Sequence, residues 1–408
     1  FQKGKKVDTS SYLLPGYRRY LGANSLDGSK KVYASTYLAV QANTNDILML
    51  WDGERSGLVG HGLEGVVSST VSKLSLRNEI ESNYLYYFLL NKFEWIQNKR
   101  TGTGIPHVPK DLGRILSVYY PIEKNYQQKV SLIIGTMDLT IKKTEALIEK
   151  YQQIKTGLMH DLFTRGLGAD GKLRPTREQE PELYHKTDIG WIPKDWALSH
   201  LKTMSKNGVQ HLRTGPFGSA LKGEHWVEEG HPVITIGSLG EGEFNESELL
   251  YIGDKDASRL RDFRLKLGDV VFSRVADVGR SIVIKKEQVG WIMSSNLMRI
   301  SLDPDKIMPE FLQYQLSSNS VIKKQIRCKV NSGGRDVANS DILNSLWFFQ
   351  PDPNEQLAIV KRAEKIDSRL KAEQSLAHKL SLQKLGLMND LLTGKMPVSV
   401  DEPEAAHV

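Results

Sequence analysis

The sequence has few of the features that mark secreted, membrane-spanning or zinc-binding proteins. Its single cysteine, Cys328, excludes an internal disulfide and a cysteine-based zinc site, and it fits a reducing cytoplasm. No stretch approaches the ~20 uncharged apolar residues that a transmembrane helix needs. The first ten residues lack the apolar run of a signal peptide. We therefore expect a cytoplasmic protein that has no membrane association.

The sequence also lacks the motifs of the common enzyme classes. It contains no Gly-x-x-x-x-Gly-Lys-Ser/Thr phosphate loop, no Asn/Asp-Pro-Pro-Tyr/Phe motif of amino-methyltransferases, no His-Glu-x-x-His and no Gly-x-Ser-x-Gly. Pro351-Asp352 is not followed by the Asp/Glu-x-Lys of a metal-dependent nuclease. Gly237–Gly242 is glycine-rich, but its glycine order and the acidic Glu241 and Glu243 favour a surface turn over a dinucleotide site. We predict a chain that has no catalytic residues and binds no metal or cofactor of its own.

Charge and length are more informative. The chain has 408 residues, 55 Lys and Arg against 48 Asp and Glu, a net charge of +7 and a pI near 9.1, which favours an anionic partner such as nucleic acid. Residues 1–124 carry 16 basic and 11 acidic side chains, whereas residues 189–353 carry 21 and 20. Affinity for an anion in the second region therefore depends on individually placed cations. The length corresponds to two or three domains.

The chain contains two copies of one unit. The spacing between matching segments decreases smoothly towards the N-terminus, as a duplication with small insertions requires. The matching pairs are Gly157–Thr164 with Gly386–Thr393, Asn125 and Gln127 with Asn354 and Gln356, Tyr84–Tyr87 with Phe311–Tyr314, Val67–Ser69 with Met293–Ser295, and Asp46–Leu48 with Asp269–Val271. Gly16 aligns with Gly230, which places Phe1 near Gly215. We therefore expect the first copy to lack about 26 residues that correspond to Ile189–Thr214.

Each copy ends in a helical heptad pattern. Eight of the ten seam positions in each copy are apolar, and the polar exceptions are equivalent: Thr144 and Lys155 match Glu373 and Lys384. The two helices are therefore predicted to pair with each other, as rods of about 60 Å. The seams are Val130, Ile134, Met137, Ile141, Thr144, Ile148, Tyr151, Lys155, Leu158 and Leu162, and Ile359, Ala363, Ile366, Leu370, Glu373, Ala377, Leu380, Lys384, Leu387 and Leu391.

The sequence before each long helix predicts an α+β globule. Short β-branched and aromatic runs separated by Gly, Asn and Asp occupy 31–75 and 231–302, and Tyr84–Lys92 and Pro309–Ser318 are expected to be short helices. The predicted organisation is a first globule at 1–124, a long helix at 125–166, a polar linker at 167–188, a second globule at 189–353, a second long helix at 354–397 and a tail at 398–408.

Basic loops are the candidates for DNA contact. Lys99–His107 and Lys329–Asp336 occupy equivalent places, and their small residues would let the backbone approach a phosphate. Arginines pair bidentately with guanine. The alternatives left open are flexible turns and, for Arg274, an ion pair with Asp277. The candidate contacts are Arg19, Asn24, Arg55, Lys99, Arg100, Thr101, Thr103, His107, Lys110, Ser219, Lys222, Arg274, Arg280, Lys329, Asn331, Ser332 and Arg335.

The order globule, long helix, linker, globule, long helix resembles the specificity (S) subunits of type I restriction–modification systems. The resemblance covers essentially the whole chain. The first copy departs from it, because Tyr126-Gln127-Gln128 stands where the second copy has Glu355-Gln356-Leu357. The motifs that carry the resemblance are Gly190–Trp196, Gly215–Ser219, Asn354–Gln356, Gly386–Met388, and Thr164–Gly166 with Gly171–Pro175 in the linker.

The resemblance implies a non-catalytic subunit with two target recognition domains, each reading one half of a bipartite, asymmetric site in double-stranded DNA. The antiparallel helices would set the gap and dock two methyltransferase subunits that hold S-adenosylmethionine and methylate adenine. Two restriction/translocase subunits would supply ATP- and Mg-dependent chemistry. The alternatives are a self-contained DNA methyltransferase and a coiled-coil scaffold without DNA contact. The helix residues assigned to subunit docking are Ile134, Ile141, Ile148, Leu158, Ile366, Leu370, Leu380 and Leu387.

Overall fold

The computed structural model describes residues 1–26, 32–76, 79–102, 104–240, 242–275, 278–331 and 337–399. The chain divides into unit 1, which is Phe1–Leu147 with Glu373–Val408, and unit 2, which is Ile148–Ala372. Within the described ranges, no helix has both the length and the apolar character needed to cross a membrane.

Unit 1 contains two sheets and several short helices. The first sheet has the order β1-β9-β6-β7, and the second has the order β2-β4-β3-β8-β5 with β3 and β8 parallel. The strands are β1 (Gln2–Lys3), β2 (Thr9–Ser10), β3 (Tyr17–Leu21), β4 (Tyr33–Ser35), β5 (Gln41–Ala42), β6 (Ile47–Leu50), β7 (Val59–Gly60), β8 (Gly65–Val67) and β9 (Val71–Leu74). The helices are α1 (Ala23–Leu26), α2 (Ser82–Asn91), α3 (Phe93–Asn98), α4 (Leu112–Ile115) and the start of α5 (Lys124–Thr164).

Unit 2 repeats this architecture. Its larger sheets have the orders β13-β20-β17-β18 and β14-β16-β15-β19, and β10-β11 and β12-β21 form two small sheets. The strands are β10 (Tyr184–Thr187), β11 (Gly190–Pro193), β12 (Ala197–Ser199), β13 (Leu212–Thr214), β14 (Trp226–Val227), β15 (His231–Ile234), β16 (Leu250–Ile252), β17 (Val270–Ser273), β18 (Ser281–Val283), β19 (Ile292–Met293), β20 (Leu297–Ile300) and β21 (Phe348–Gln350). The helices are α6 (Asp254–Arg259), α7 (Pro309–Ser318), α8 (Ser320–Asn331), α9 (Ser340–Asn344) and α10 (Pro353–Leu392), which continues into unit 1.

The strand register shows that the duplication extends to the sheets. Tyr20 pairs with Val66 in the parallel pair of unit 1, and Val233 pairs with Ile292 in the parallel pair of unit 2. In the other sheets, β1 pairs with β9 as β13 pairs with β20. Gln2 pairs with Lys73, and Arg213 pairs with Arg299. Because Lys73 and Arg299 are equivalent strand positions, the structure matches Gln2 to Arg213. This corrects the sequence alignment, which placed Phe1 near Gly215.

A glycine follows β1 and β13 in both units for a steric reason. A Cβ atom on Gly4 would lie 2.2 Å from the carbonyl oxygen of Ser68, and one on Gly215 would lie 1.9 Å from that of Ser294. Both distances are far below van der Waals contact, so only glycine fits. The Gly215–Ser219 motif therefore begins with a residue that lets two strand ends meet.

The central strands β6 and β17 are buried on both faces. Ile47 and Met49 belong to one hydrophobic cluster of unit 1, whereas Leu48 and Leu50 belong to another. In β17, alternate side chains likewise divide between two clusters of unit 2. A strand between two cores needs apolar residues at every position, which explains the uninterrupted apolar runs in the sequence.

The long helices run antiparallel within each unit. In unit 1 the ammonium of Lys384 contacts the carboxylate of Asp138, and in unit 2 that of Lys155 contacts Asp367. All twenty predicted seam positions are buried or half-buried. The predicted α+β class, with an internal repeat and paired antiparallel helices, is confirmed.

The second long helix is shorter than the sequence indicated. It ends at Leu392 instead of position 397, because Gly394 adopts a left-handed conformation with φ of 72°. The first ends at Thr164, followed by Gly166 with φ of 62°. Short helices at Ser82–Asn91 and Pro309–Ser318 agree with the prediction within two residues.

One buried glutamine fastens the start of each long helix to its own globule. The amide of Gln127 accepts from the backbone N–H of Glu81 at 2.7 Å and donates to the carbonyl oxygens of Glu79 and Pro121. The amide of Gln356 makes the equivalent bonds, to Met308, Lys306 and Pro351. Both glutamines are fully buried. The repeated Asn-x-Gln pattern therefore has a structural role.

The segment at 167–188, predicted as a polar linker, is packed against unit 2. Leu167 packs in the main hydrophobic cluster of unit 2, and Tyr184–Thr187 pairs with β11. Arg174 donates to both carboxylate oxygens of Glu355, at 2.6 and 3.0 Å. The indole N–H of Trp196 and the backbone N–H of Leu167 also donate to Glu355. Three of the family-like motifs thus meet at the start of α10.

Candidate nucleic-acid interface

In unit 1 the candidate loop Lys99–His107 meets the loop that follows β6 at one acidic residue. Asp52 follows β6, and its carboxylate lies 2.8 Å from Nδ1 of His107 and 2.7 Å from Nζ of Lys3 at the end of β1. The backbones of Asp52 and His107 form a β-bridge. The sequence prediction missed Lys3 and Asp52, because no local pattern joins positions about 50 residues apart.

Arg100 holds this loop pair together. Its guanidinium donates to the carbonyl oxygen of Gln97 at 2.8 Å and to that of Glu54 at 2.6 Å. These donors are therefore already bonded to backbone. Lys99 lies beside the Trp95 ring, with its ammonium 5.9 Å from the ring centroid, and its side chain is exposed. Of the two basic residues that open the loop, Lys99 is the better placed to contact a phosphate.

The other candidates of unit 1 lie on different elements. Arg19 is on β3 and is half-buried, with no acceptor for its buried Nε among the described residues. Asn24 is exposed on α1, Arg55 is exposed after β6, and Lys110 is exposed before α4. Thr101 is exposed and its backbone pairs with that of His107, and Thr103 lies outside the described residues.

The equivalent loops also meet in unit 2, but the side chains at their contact are different. The carbonyl oxygen of Arg274 accepts from the backbone N–H of Ala338 at 2.8 Å, and Val275 and Val337 form a β-bridge. Trp51 and Val108 make the same backbone bond in unit 1, at 2.9 Å. The backbone frame is thus shared, whereas the side chains it presents differ.

Arg274 is the cationic side chain at this contact between the two loops of unit 2. It is half-buried, and its buried Nε has no hydrogen-bond partner within the described part of the chain. Its alternative partner Asp277 lies outside the described residues. Arg280, in contrast, donates from Nη1 to the carbonyl oxygen of Leu239 at 2.9 Å and so fastens a turn.

The remaining candidates of unit 2 are partly helical, which corrects the prediction of a loop at 329–336. Lys329 and Asn331 lie in the last turn of α8, because the amphipathic pattern of that helix continues to Val330, which is buried. Ser332 and Arg335 lie outside the described residues. Ser219 lies in a short 3-10 helix, Gly218–Ala220, and Lys222 is exposed just after it.

An aromatic residue in the same loop was not among the candidates. The Phe217 side chain is 89% exposed, although it lies only two residues after Gly215, which is packed against the backbone of Ser294. Its neighbour Ala220 donates its backbone N–H to the carbonyl oxygen of Phe217 at 2.8 Å. A nearly fully exposed aromatic ring on an anchored loop suits contact with a base or a sugar. In the sequence its signal was the motif Gly-Pro-Phe-Gly.

The residues assigned to subunit docking mostly face inward. Ile134 is fully buried among Tyr84, Tyr87 and Met388 of unit 1. The other assigned residues are half-buried at the seam: Ile141, Ile148, Leu158, Ile366, Leu370, Leu380 and Leu387. Among the described residues of the two long helices, the large apolar side chains that are more than half exposed are Leu132, Leu139, Leu382 and Leu385.

No metal centre emerges from these surfaces. Within the described ranges, no three His, Cys, Asp or Glu side chains are arranged to hold a metal ion.

Comparison with known proteins gives a consistent result. The profile of the family described as "Type I restriction modification DNA specificity domain" matches residues 1–153 and 194–380. The type I restriction enzyme MjaVIII specificity subunit of Methanocaldococcus jannaschii is 28% identical over 411 residues, covering 97% of this chain and 90% of that protein. The StySPI specificity subunit of Salmonella potsdam is 22% identical over 388 residues, covering 89% of this chain and 78% of that protein.

Solved structures show the same fold. The type I restriction–modification S subunit from M. genitalium superposes with a TM-score of 0.60 at 15% identity, covering 96% of this chain and 92% of that chain. A chain from a study of type I restriction–modification complex assembly superposes with a TM-score of 0.55 at 12% identity, covering 93% and 92%. The matched profile spans two segments that together make up most of the sequence, so this chain belongs to the type I restriction–modification DNA specificity family.

Proposed function

We propose that this chain is the sequence-reading subunit of a type I restriction–modification complex, and that each unit reads one half of a bipartite, asymmetric site in double-stranded DNA. The observation that carries the proposal is that the two units share a backbone arrangement at equivalent loops but present different side chains on it. A four-stranded sheet with equivalent pairing and the same loop-to-loop backbone bonds recurs in both units, but unit 1 presents Lys3, Asp52 and His107 there and unit 2 presents Arg274. Two equal scaffolds with unequal loops suit two different target sequences.

The paired helices are proposed to set the gap between the half-sites and to dock two methyltransferase subunits. A helix of 41 residues is about 60 Å long, or somewhat under two turns of B-DNA. One of the two docking surfaces is proposed on the exposed leucines Leu132, Leu139, Leu382 and Leu385, which all belong to unit 1. The internal repeat would offer a second, identical subunit the matching helix faces of unit 2, which have Lys361, Ser368, Gln153 and Thr156 at the corresponding positions.

The catalytic steps are proposed to take place in the partner subunits. The methyltransferase subunits would hold S-adenosylmethionine and methylate adenine, and two restriction/translocase subunits would use ATP and Mg. This chain would bind no cofactor of its own and would act in the cytoplasm by placing the DNA.

Selection from a random duplex library tests this proposal. The chain assembled with its methyltransferase subunits is expected to enrich two short blocks separated by a fixed, non-specific gap. A scaffold without DNA contact would add no sequence preference beyond that of the methyltransferase subunits alone. Methylation by the isolated chain would instead support a self-contained methyltransferase and contradict the proposed division of labour.

A further inference from the structure

A three-residue cluster joins the globule of unit 1 to both long helices. The hydroxyl of Tyr87 on α2 donates to Oδ2 of Asp138 on α5 at 3.0 Å. The ammonium of Lys384 on α10 lies 2.5 Å from Oδ1 of the same carboxylate. The Asp138 carboxylate therefore links three elements that are distant in sequence.

Unit 2 contains the same cluster with the helices exchanged. The hydroxyl of Tyr314 on α7 donates to Oδ2 of Asp367 on α10 at 2.9 Å, and Nζ of Lys155 on α5 lies 2.6 Å from Oδ1. Each lysine is one of the two polar residues that interrupt the otherwise apolar seam of its helix. The polar residues Lys155 and Lys384 thus interrupt the seams for the same reason in both copies: each pairs with an aspartate on the opposite long helix.

These clusters suit a positioning role better than a stabilising one. The Asp138 and Lys384 side chains are 37% and 22% exposed, and ion pairs in such settings contribute little net stability because both charges lose hydration. They do restrict geometry, and one polar residue in a helix seam can fix its register. Burial and the neighbouring carboxylate raise the pKa of Tyr87 and of Tyr314, so both hydroxyls stay protonated and able to donate at neutral pH.

We propose that Tyr87–Asp138–Lys384 and Tyr314–Asp367–Lys155 are positioning residues that hold each recognition domain at one register and rotation on its half of the helix pair, and so restrict the gap accepted between the half-sites. The inference rests on the proposed function. One added base pair moves a half-site by about 3.4 Å and rotates it by about 34° around the duplex. A domain that is fixed on its helices cannot follow that movement, whereas a loosened one can.

The test measures binding to duplexes whose gap is the preferred length or one base pair shorter or longer, using the chain assembled with its methyltransferase subunits. Asp138→Asn keeps an acceptor for Tyr87 but removes the charge that holds Lys384. We expect it to reduce the preference for the correct gap about tenfold, and Asp367→Asn to do the same. Glu145→Gln, at an exposed position of α5, is the matched control and should leave the preference unchanged.

The outcomes separate this inference from the proposed function. If wild type discriminates between gaps and Asp138→Asn discriminates equally well, the positioning role is wrong, even if affinity falls equally at every gap. If wild type itself shows no gap preference, the proposed ruler function fails. Restoration of the preference by Asp138→Lys combined with Lys384→Asp would support the pairing. Should Asp138→Asn fail to fold, Lys384→Met removes the charge with little loss of volume and carries the same expectation.

Discussion

Replacing Glu355 by alanine is expected to lower the free energy of unfolding of unit 2 by about 3–5 kcal/mol, the usual cost of removing one partner of a buried ion pair. The Glu355 and Arg174 side chains are only 4% and 10% exposed. The substitution leaves the guanidinium without its bidentate acceptor. It also removes the acceptor of the Trp196 indole and of the Leu167 backbone N–H, which lie in the same buried corner.

Asp195→Ala is the matched control for this prediction. Asp195 accepts from the same guanidinium at 2.5 Å, but its side chain is 61% exposed. An exposed partner contributes less than about 1 kcal/mol. Urea denaturation of both variants, followed by hydrogen exchange of the backbone amides of unit 2, compares the two partners of one arginine. If both variants lost the same free energy of unfolding, this prediction would be wrong, because burial would then not determine how much each partner of Arg174 contributes.

Replacing Arg274 by alanine is expected to weaken binding to the specific site by about 5- to 150-fold, corresponding to about 1–3 kcal/mol for one bidentate base contact. Unit 2 residues 189–353 are nearly neutral, so a single placed cation carries a larger share of recognition there. The loss should be confined to the half-site that unit 2 reads and should relax the preference at one base pair. Competition binding against single-base variants of that half-site measures it.

The controls separate base reading from general charge. Arg177→Ala removes an exposed arginine of unit 2 that pairs with Glu178 and lies over Trp191, so it should change neither affinity nor specificity. Lys222→Ala, at the exposed end of the Gly215–Lys222 loop, should weaken binding to all sequences alike and reduce the salt dependence of binding. If Arg274→Ala also weakened all sequences alike, Arg274 would be a phosphate contact and not a base contact.

The features that could be predicted from the sequence are those that repeat or have a period. The duplication is visible as a repeat along the chain, and the heptad seams and the short helices before them depend on spacing within one segment. The seam prediction even placed Lys155 and Lys384 at positions that are half-buried in the structure. It could not explain them, because their partners Asp367 and Asp138 lie on the other helix more than 200 residues away.

The candidate DNA contacts were harder to predict for the same physical reason. Arg100 and Arg280 have the composition of phosphate-binding residues, but their guanidinium groups donate to the carbonyl oxygens of Glu54 and Leu239. Every residue has a backbone carbonyl, so no residue pattern in the sequence indicates that a carbonyl oxygen will accept from an arginine side chain. Lys3 was missed because its partner Asp52 becomes a neighbour only when β1 joins the sheet that contains β6.

Exchange of the second globule tests whether each unit reads its own half-site. Ile189–Pro353 would be replaced by the corresponding segment of another member of the family, and the methylated motif would be determined with the same methyltransferase subunits before and after the exchange. We expect one half of the motif to change, while the other half and the gap are retained. A change in both halves would contradict the assignment of one half-site to each unit.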